Sequence, residues 1–281
     1  MCGITGAVSL VRAHIDASMV QRMTDRILHR GPDGGGIWQS IDGTVCLGHR
    51  RLSIIDTSNA AAQPMVLDEG NYIIVFNGEV YNFREIRQDL EKAGYKFVST
   101  SDTEVVLRAY EEYGESCVDR FNGMWALSIF DAKKRKVFLS RDRIGIKPLY
   151  FFKTPGLFLF ASEIKAIIAS GLYSPDVDLA GLNEYFTFQN IISNRTLFKD
   201  IAMVPPATNV TISLDDGRIL WKSYWDMRYE PDDSLTEEDV EGSLIAAFEN
   251  SMRRHLISDV EIGATISGGM DSSAIIAIAS Q

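Results

Sequence analysis

The sequence contains few cysteines, and this scarcity excludes two kinds of site. Cys2, Cys46 and Cys117 are the three cysteines among 281 residues, too few and too scattered for a disulfide framework or a zinc site. Cys46 stands in an alternating apolar run and Cys117 follows a predicted helix, so we expect both to be buried as small apolar groups. This cysteine usage fits a reducing cytoplasm.

Positive charge and long apolar segments are also scarce. The 28 Lys and Arg against 38 Asp and Glu give a net charge of −10, which argues against a nucleic-acid partner, because sequence-independent binding needs concentrated positive charge. No stretch approaches the ~20 apolar residues of a membrane span, and no basic segment precedes an apolar run at the N-terminus. We therefore expect neither a membrane partner nor a secretory signal. The length allows roughly two domains of ~150 residues.

The order of strand and helix signals predicts an α+β fold. Strands are predicted over 3–11, 44–55, 72–76, 124–130, 136–140, 149–152 and 157–161. Helices are predicted over 19–28, 83–93, 103–113 and 162–168, with Asp102 as the N-cap of the third and a loop over 29–36. Because many strands follow one another directly, we expect antiparallel sheets rather than a doubly wound sheet.

The composition changes near residue 230. Residues 230–234 form a polar linker, and Thr236 with Asp239 resembles a capping box. Apolar residues at helical spacing follow over 240–252 and predict one apolar stripe on a helix. That stripe would be exposed unless it folds back or finds a partner.

A glycine- and serine-rich loop follows a predicted strand over 260–266 and precedes a predicted helix over 274–280. The loop, residues 267–273, reads Ser-Gly-Gly-Met-Asp-Ser-Ser. Paired glycines before a helix N-terminus suit a bound phosphate, and Asp271 suits a phosphate-bound magnesium ion. No Lys follows the glycines, so this is not a Walker A loop.

Cys2 directly follows Met1, and removal of Met1 would place a thiol and a free α-amino group on one residue. An α-amino group titrates near ~8 and can act as a base close to neutral pH. An N-terminal nucleophile activated by its own amine is a route to covalent catalysis. The alternative, a chance cysteine in a disordered terminus, is disfavoured by the motifs that follow.

Several motifs occur in order along nearly the whole chain. They are Met1-Cys2-Gly3-Ile4, His29-Arg30-Gly31-Pro32-Asp33, Arg51-Leu52-Ser53-Ile54-Ile55-Asp56, Asn77-Gly78-Glu79-Val80-Tyr81-Asn82, Ser101-Asp102-Thr103-Glu104, the run from Arg141 to Tyr150, Ala161-Ser162-Glu163 and the loop 267–273. With them the chain resembles a glutamine-hydrolysing asparagine synthetase of the asparagine synthase B type. The resemblance implies an N-terminal-nucleophile hydrolase fold, a four-layer αββα sandwich, over 2–210. A connector over 211–235 and the start of an α/β ATP-pyrophosphatase synthetase domain over 236–281 would follow.

The resemblance implies a glutaminase site in the first domain. Cys2 would attack the side-chain amide of glutamine, and its own amine would carry the proton to the leaving ammonia. Asn77, through its side-chain amide, and Gly78, through its N–H, would form the oxyanion hole, with each donor contributing about 3–4 kcal/mol.

The same resemblance implies how glutamine is held. Arg51 would bind the α-carboxylate with its planar guanidinium group. Asp102, helped by the region of Glu79, would bind the α-ammonium group. The run over 141–150 is assigned to structural support of the nucleophile rather than to catalysis.

For the second domain the resemblance implies pyrophosphate binding by Ser267, Gly268, Gly269, Asp271 and Ser272. ATP and Mg²⁺ are expected cofactors of a complete synthetase, and none is expected for the glutaminase half, where no metal site is predicted. Family members continue for a few hundred residues past this loop. We therefore expect glutaminase chemistry from this chain, with weak or no ATP-dependent amidation of aspartate.

Alternatives remain open at this stage. Synthetase-like relatives amidate other acceptors, including cell-surface sugars and antibiotic precursors, and a non-catalytic partner subunit would keep the fold without the chemistry. The chain could be a fragment or a split gene product, acting as a homodimer or with a partner that supplies the missing synthetase part. A Cys-His dyad using His29 or His49 is disfavoured, because neither Cys46 nor Cys117 sits in a glycine-flanked turn.

Overall fold

The computed structural model describes residues 1–280 and divides the chain into two compact units. The first unit comprises Met1–Ser53 and Ser58–Asp226, and the second comprises Ile54–Thr57 and Met227–Gln281. Gln281, the last residue of the predicted synthetase segment, lies outside the described residues. Among residues 1–280 no helix combines the length and apolarity needed to cross a bilayer.

The first unit contains two six-stranded sheets in which every neighbouring pair is antiparallel. The first sheet has the order β10-β8-β9-β1-β3-β2, and the second has the order β12-β11-β7-β6-β5-β4. The strands are β1 (Gly3–Ser9), β2 (Gly34–Gln39), β3 (Val45–Arg51), β4 (Met65–Leu67), β5 (Tyr72–Val80), β6 (Gly123–Asp131), β7 (Lys136–Arg141), β8 (Tyr150–Lys153), β9 (Leu157–Ala161), β10 (Ile201–Met203), β11 (Thr208–Ser213) and β12 (Ile219–Ser223). The helices of this unit are α1 (Ala17–Asp25), α2 (Phe83–Lys92), α3 (Asp102–Tyr113), α4 (Ile164–Ala169) and α5 (Leu179–Phe188).

The inner faces of the two sheets share one apolar core. Ile4 of β1 and Leu47 of β3 belong to the same fully buried cluster as Ile73 and Val75 of β5. These residues alternate with outward-facing ones along each strand, as the two-residue period of a strand requires. Burial of this face against the other sheet therefore fixes the register of both.

Helices cover the outer faces of both sheets. Val20 of α1 and Ile167 of α4 pack with Cys46 on the first sheet. Tyr110 of α3 stacks on Phe138 of the second sheet, with ring centroids 5.4 Å apart. The layers run helix, sheet, sheet, helix, and the predicted αββα sandwich is confirmed. Cys46 and Cys117 are buried, as expected.

Three predicted boundaries were wrong in the first unit. The predicted strand 72–76 continues through Asn77 and Gly78 to Val80, because these residues pair with β6. Ser101, not Asp102, is the N-cap of α3, since its hydroxyl accepts the N–H of Thr103 at 3.1 Å. Part of the predicted loop 29–36 belongs to β2, which pairs with β3.

The turn within residues 141–150 is held by two charged side chains, those of Arg141 and Asp142, and its support of the nucleophile stays a prediction. Arg141 donates to the carbonyl oxygens of Gly145, Lys147 and Val204 at 2.6–2.8 Å. Asp142 accepts from the N–H groups of Trp125, Ile146 and Lys147 at 2.8–3.2 Å. Together these two side chains satisfy six backbone groups that lie outside regular pairing.

The second unit holds two helices, α6 (Glu237–His255) and α7 (Met270–Ala279). The predicted capping box is confirmed: Thr236 Oγ1 accepts the N–H of Asp239, and the Asp239 carboxylate accepts the N–H of Thr236 at 3.0 Å. The described side chains of α6 include none that is fully buried. The predicted apolar stripe is exposed at Val240 and Leu244 and half-buried at Phe248 and Met252.

The strand predicted over 260–266 was wrong, since these residues have no regular secondary structure. A strand needs a neighbour for its backbone N–H and C=O groups, and none accompanies this segment among the described residues. Helix α7 begins at Met270, earlier than the predicted position 274.

We expect Asp142→Ala to destabilise the protein by roughly 3–5 kcal/mol, because two buried N–H groups and one half-buried N–H group would lose a charged acceptor. Urea unfolding at neutral pH would measure the free energy of unfolding. Asp89→Ala is the matched control: Asp89 forms an exposed ion pair with Lys92, and its loss should cost less than about 1 kcal/mol. Equal effects of the two substitutions would contradict the supporting role of Asp142.

Candidate active site

Cys2 lies just before β1, beside the end of β3. Its Sγ is 3.4 Å from the N atom and 3.5 Å from the O atom of Leu52. Register pairs Gly3 with Arg50, so Cys2 and Arg51 come next to each other as the two antiparallel strands end. The thiol is half-buried rather than exposed to open solvent.

The two-residue period of a strand places three of the predicted site residues on the inward faces of the two sheets. Cys2 shares the face of Ile4, which points into the core between the sheets, and Arg51 shares the face of Leu47. Asn77 shares the face of Val75 on the opposing sheet. Since both faces enclose the same core, the three predicted residues lie where that core ends.

The Asn77 side chain is buried, at 1% exposure, without a partner for its amide. Neither its Oδ1 nor its Nδ2 has a hydrogen-bond partner among the described residues. An unsatisfied buried donor or acceptor costs about 1–3 kcal/mol. A ligand that brought a carbonyl or an amide to Asn77 would remove this cost.

Gly78 has its N–H on the side of β5 that no strand covers. Register pairs Gly78 with Trp125, but the N–H of Trp125 donates to Asp142 and its C=O accepts from the N–H of Asp142. The Gly78 peptide therefore faces the other edge of β5, and β4 pairs with β5 only as far as Ile74. A Cβ on Gly78 would lie 2.4 Å from the carbonyl oxygen of Met124, so this position requires glycine.

Asp102 provides the hydrogen-bond partner for Val80, the next residue of β5 whose N–H faces that open edge. Its carboxylate accepts the N–H of Val80 at 3.1 Å. Burial raises the pKa of Asp102 to about 6, the Val80 hydrogen bond opposes this, and the nearby charge of Glu79 adds to it. Glu79 lies half-buried on β5.

Arg51 is held at the end of β3 by the backbone around it. Its guanidinium group donates to the carbonyl oxygen of Ser58 at 2.8 Å. The carbonyl oxygen of Arg51 accepts the N–H of Asp33 at 3.1 Å. The Asp33 carboxylate accepts the N–H of Ser53 at 2.9 Å, which ties the His-Arg-Gly-Pro-Asp motif to this strand end.

The electrostatic surroundings favour a neutral thiol and a neutral amine. Burial raises the pKa of the Cys2 thiol, opposed by a hydrogen bond with the backbone of Leu52. Burial lowers the pKa of the α-amino group of Met1 and of the Lys147 ammonium group.

Arg30, which the sequence left without a role, binds the backbone of Cys2, and Glu163 binds Arg30 in turn. Arg30 Nε donates to the carbonyl oxygen of Cys2 at 2.8 Å, and Arg30 also pairs with Glu163 at 3.0 Å. Both residues lie in motifs quoted above, but they are 133 positions apart and nothing in the sequence pairs them. They fix the peptide that carries the thiol.

The histidines do not form a dyad with Cys2 among the described residues. His29 pairs with Glu163 at 2.8 Å. His49 is fully buried, and its Nε2 is 3.1 Å from the carbonyl oxygen of Phe76. Burial lowers the pKa of His49 to about 3, the Phe76 hydrogen bond opposes this, and the charge of Arg51 adds to it.

The hydroxyl groups of the predicted pyrophosphate loop form hydrogen bonds within the loop. The hydroxyls of Ser267 and Ser272 lie 2.9 Å apart, and those of Ser272 and Ser273 donate to the carbonyl oxygen of Gly269. A Cβ on Gly268 would meet no atom within 4 Å, so nothing encloses the loop. Asp271 lies exposed in the first turn of α7. The residue types suit a phosphate, and pyrophosphate binding by this loop stays a prediction.

Comparison with known proteins agrees with this geometry. Residues 1–225 match the glutamine amidotransferase domain model, and residues 243–281 match the asparagine synthase model. The chain therefore belongs to the glutamine amidotransferase family. Within that family its resemblance to the glutamine-hydrolysing asparagine synthetases is confirmed by curated relatives.

Two of these relatives come from Bacillus subtilis strain 168. Asparagine synthetase [glutamine-hydrolyzing] 3 is 40% identical over 99% of this chain and 45% of its own length. Asparagine synthetase [glutamine-hydrolyzing] 1 is 36% identical over 100% of this chain and 44% of its own length. The chain spans less than half the length of these relatives.

A solved structure supports the fold. The glutamine phosphoribosylpyrophosphate amidotransferase of B. subtilis, complexed with ADP and GMP, matches with a TM-score of 0.60 at 16% identity. The match covers 99% of this chain and 64% of that one. The N-terminal-nucleophile fold expected from the sequence is confirmed.

Acid should destabilise the protein through His49. Its folded pKa of about 3 lies below the ordinary value of 6.5, so the unfolded state binds more protons and stability is lost as the pH falls below about 6.5. The raised pKa of Asp102 acts in the opposite direction. We therefore compare the wild type with His49→Gln.

The difference in unfolding free energy between the two proteins should fall by about 2 kcal/mol between about pH 6.5 and pH 5, at about 1.4 kcal/mol per pH unit. Urea unfolding at each pH measures it. A difference that stays constant with pH would show that His49 is not kept neutral by burial.

Proposed function

We propose that this chain hydrolyses glutamine to glutamate and ammonia, with Cys2 as the nucleophile. The observation that carries the proposal is the unsatisfied, buried amide of Asn77 beside the open N–H of Gly78. Both lie where the core that also receives Cys2 ends. Such donors suit the oxygen of a tetrahedral intermediate, and family membership makes glutamine the expected amide.

The chemistry needs a free amine on Cys2, which removal of Met1 would provide. The amine takes the thiol proton as Sγ attacks the side-chain carbonyl carbon of glutamine. Asn77 Nδ2 and the Gly78 N–H then stabilise the negative oxygen. The amine returns the proton to the leaving ammonia, and water hydrolyses the thioester to release glutamate.

Substrate selection rests on opposite charges on two sides of the site. Arg51 would bind the α-carboxylate, and Asp102, with the charge of Glu79 nearby, would bind the α-ammonium group. Their positions at the end of β3 and at the start of α3 support this. A free amino acid carries both charges, whereas an internal residue of a peptide carries neither.

Use of the ammonia is the second part of the proposal. The asparagine synthase match and the names of the curated relatives support ATP-dependent amidation of aspartate as the activity of the whole protein. The loop over 267–273 forms no enclosed phosphate site by itself. We therefore assign glutamine hydrolysis to this chain and the ATP step to a complete synthetase. A cytoplasmic location stays a prediction.

Cys2→Ala should reduce glutamate release to below about one part in a thousand of wild type, because the covalent route is lost. The readout is glutamate formed from glutamine, measured without ATP or aspartate. Cys46→Ala is the matched control, since Cys46 packs against helices α1 and α4, and it should keep the activity if the protein folds. N-terminal mass analysis should find Met1 removed. Undiminished activity in Cys2→Ala would sink the proposal.

The pH dependence of glutamine hydrolysis should show the ionisation of Asp102. Below its pKa of about 6 the carboxyl group is neutral and no longer attracts an ammonium group, so kcat/KM for glutamine should fall about tenfold per pH unit. A bound ammonium group stabilises the carboxylate, so the corresponding decline in kcat should start at lower pH. Asp102→Asn should raise KM at neutral pH and remove the limb near pH 6. A limb unchanged in that variant would contradict the assignment.

A further inference from the structure

The edge of β5 loses its strand partner just before the proposed oxyanion donors. Pairing with β4 ends at Met65 opposite Ile74. Pro64, which directly precedes β4, has no N–H to donate. The peptide groups of Phe76 and Gly78, two and four residues beyond Ile74, must therefore find partners other than a strand.

Two side chains satisfy the Phe76 peptide from this open edge. Gln63 Oε1 accepts the N–H of Phe76 at 2.7 Å, and His49 Nε2 donates to its carbonyl oxygen at 3.1 Å. Because a carbonyl oxygen only accepts, Nε2 carries the His49 proton. Both side chains are buried, so water does not compete with either bond.

The same clamp reaches the helix that carries Asp102. Gln63 Nε2 donates to Thr103 Oγ1 at 3.2 Å. Thr103 directly follows Asp102 at the start of α3, and Asp102 accepts the N–H of Val80 on the same edge of β5. The open Gly78 peptide thus lies between two positions whose partners are buried side chains.

We propose that His49 and Gln63 are positioning residues that aim the Gly78 N–H at the oxyanion by fixing the Phe76 peptide. The inference rests on the proposed glutaminase function. Pairing of Asn77 with Ala126 holds the peptide group that carries the Gly78 N–H on the β6 side, through the Asn77 carbonyl oxygen. On the open side no strand holds it, and the hydrogen bonds of Trp125 go to Asp142 rather than to Gly78. The Phe76 clamp before Gly78 and the Val80–Asp102 bond after it constrain β5 from that open side.

The test compares His49→Phe, which removes the donor, with His49→Gln, which keeps an N–H donor on a flexible amide. His49→Phe should lower kcat for glutamine hydrolysis about 10- to 100-fold with KM within about twofold, because loss of a whole oxyanion donor costs about 10²–10³-fold. His49→Gln should recover most of the lost kcat. A His49→Phe protein that folds and keeps kcat within about threefold of wild type overturns the proposal.

A second readout does not depend on turnover. In the Cys2→Ala background, the ¹H–¹⁵N resonance of the Gly78 amide and its hydrogen-exchange rate should change in His49→Phe and return towards the parent values in His49→Gln. A role in stability alone would change the unfolding midpoint but leave the Gly78 resonance of the folded state in place, and that result overturns the proposal. Activity retained by Cys2→Ala itself would instead refute the glutaminase assignment.

Gln63 provides an independent arm in case His49→Phe does not fold. Gln63→Leu should lower kcat by a similar factor and also raise KM, since it frees both the Phe76 N–H and the link to Thr103. In the double variant the loss in kcat should be smaller than the product of the single losses, because both side chains act on one peptide group. Unchanged kcat in folded Gln63→Leu, or independent effects in the double variant, contradicts the shared clamp.

Discussion

The open edge of β5 is the constraint on which the candidate site depends. Backbone groups in a protein interior need partners, and β4 provides them only as far as Ile74. Along the remaining edge, side chains accept hydrogen bonds from the N–H groups of Phe76 and Val80, and the Gly78 N–H between them is the group that we propose binds the substrate oxygen. A backbone N–H becomes available for binding simply because the pairing of β4 with β5 ends before it.

The site also takes its electrostatic character from the core at which it lies. Because Cys2 and Asn77 extend the inward faces of two packed sheets, their surroundings exclude water. The same burial raises the pKa of the Cys2 thiol, lowers that of the Met1 α-amino group, and raises that of Asp102 to about 6. A charged substrate would meet groups whose ionisation it can itself alter.

Much of the fold could be predicted from the sequence, because strands, helices and short motifs depend on residues that are close together in the chain. The α+β class and the burial of Cys46 follow from the order of the strand and helix signals and the period of the apolar residues, whereas the αββα layers were implied by the family resemblance. Asn77-Gly78 misled the strand assignment, since this pair is typical of hairpin turns, whereas pairing with β6 carries it inside β5. Over residues 260–266 the error was the opposite one: a strand was predicted where none forms. An apolar run predicts a strand but does not provide the second strand with which it must pair.

The supporting residues of the site could not be predicted in this way. Gln63 lies in no motif, and its two hydrogen bonds join positions 13 and 40 residues away. Arg30 and Glu163 meet only because β1 brings α4 and the segment after α1 together. Such pairings depend on tertiary packing. Residues proposed to react or to bind substrate are therefore easier to predict from the sequence than the residues that position them.

Gly78 shows how closely folding and chemistry can share one position. Its N–H faces the open edge, while the missing Cβ leaves room for the carbonyl oxygen of Met124. Any side chain at this position would push two central strands apart, so an inactive variant would say nothing about the donor itself. The N–H of Gly78 has a proposed role in binding, and its missing Cβ has a role in strand packing. No other natural amino acid can replace Gly78 to test the first role without also disturbing the second.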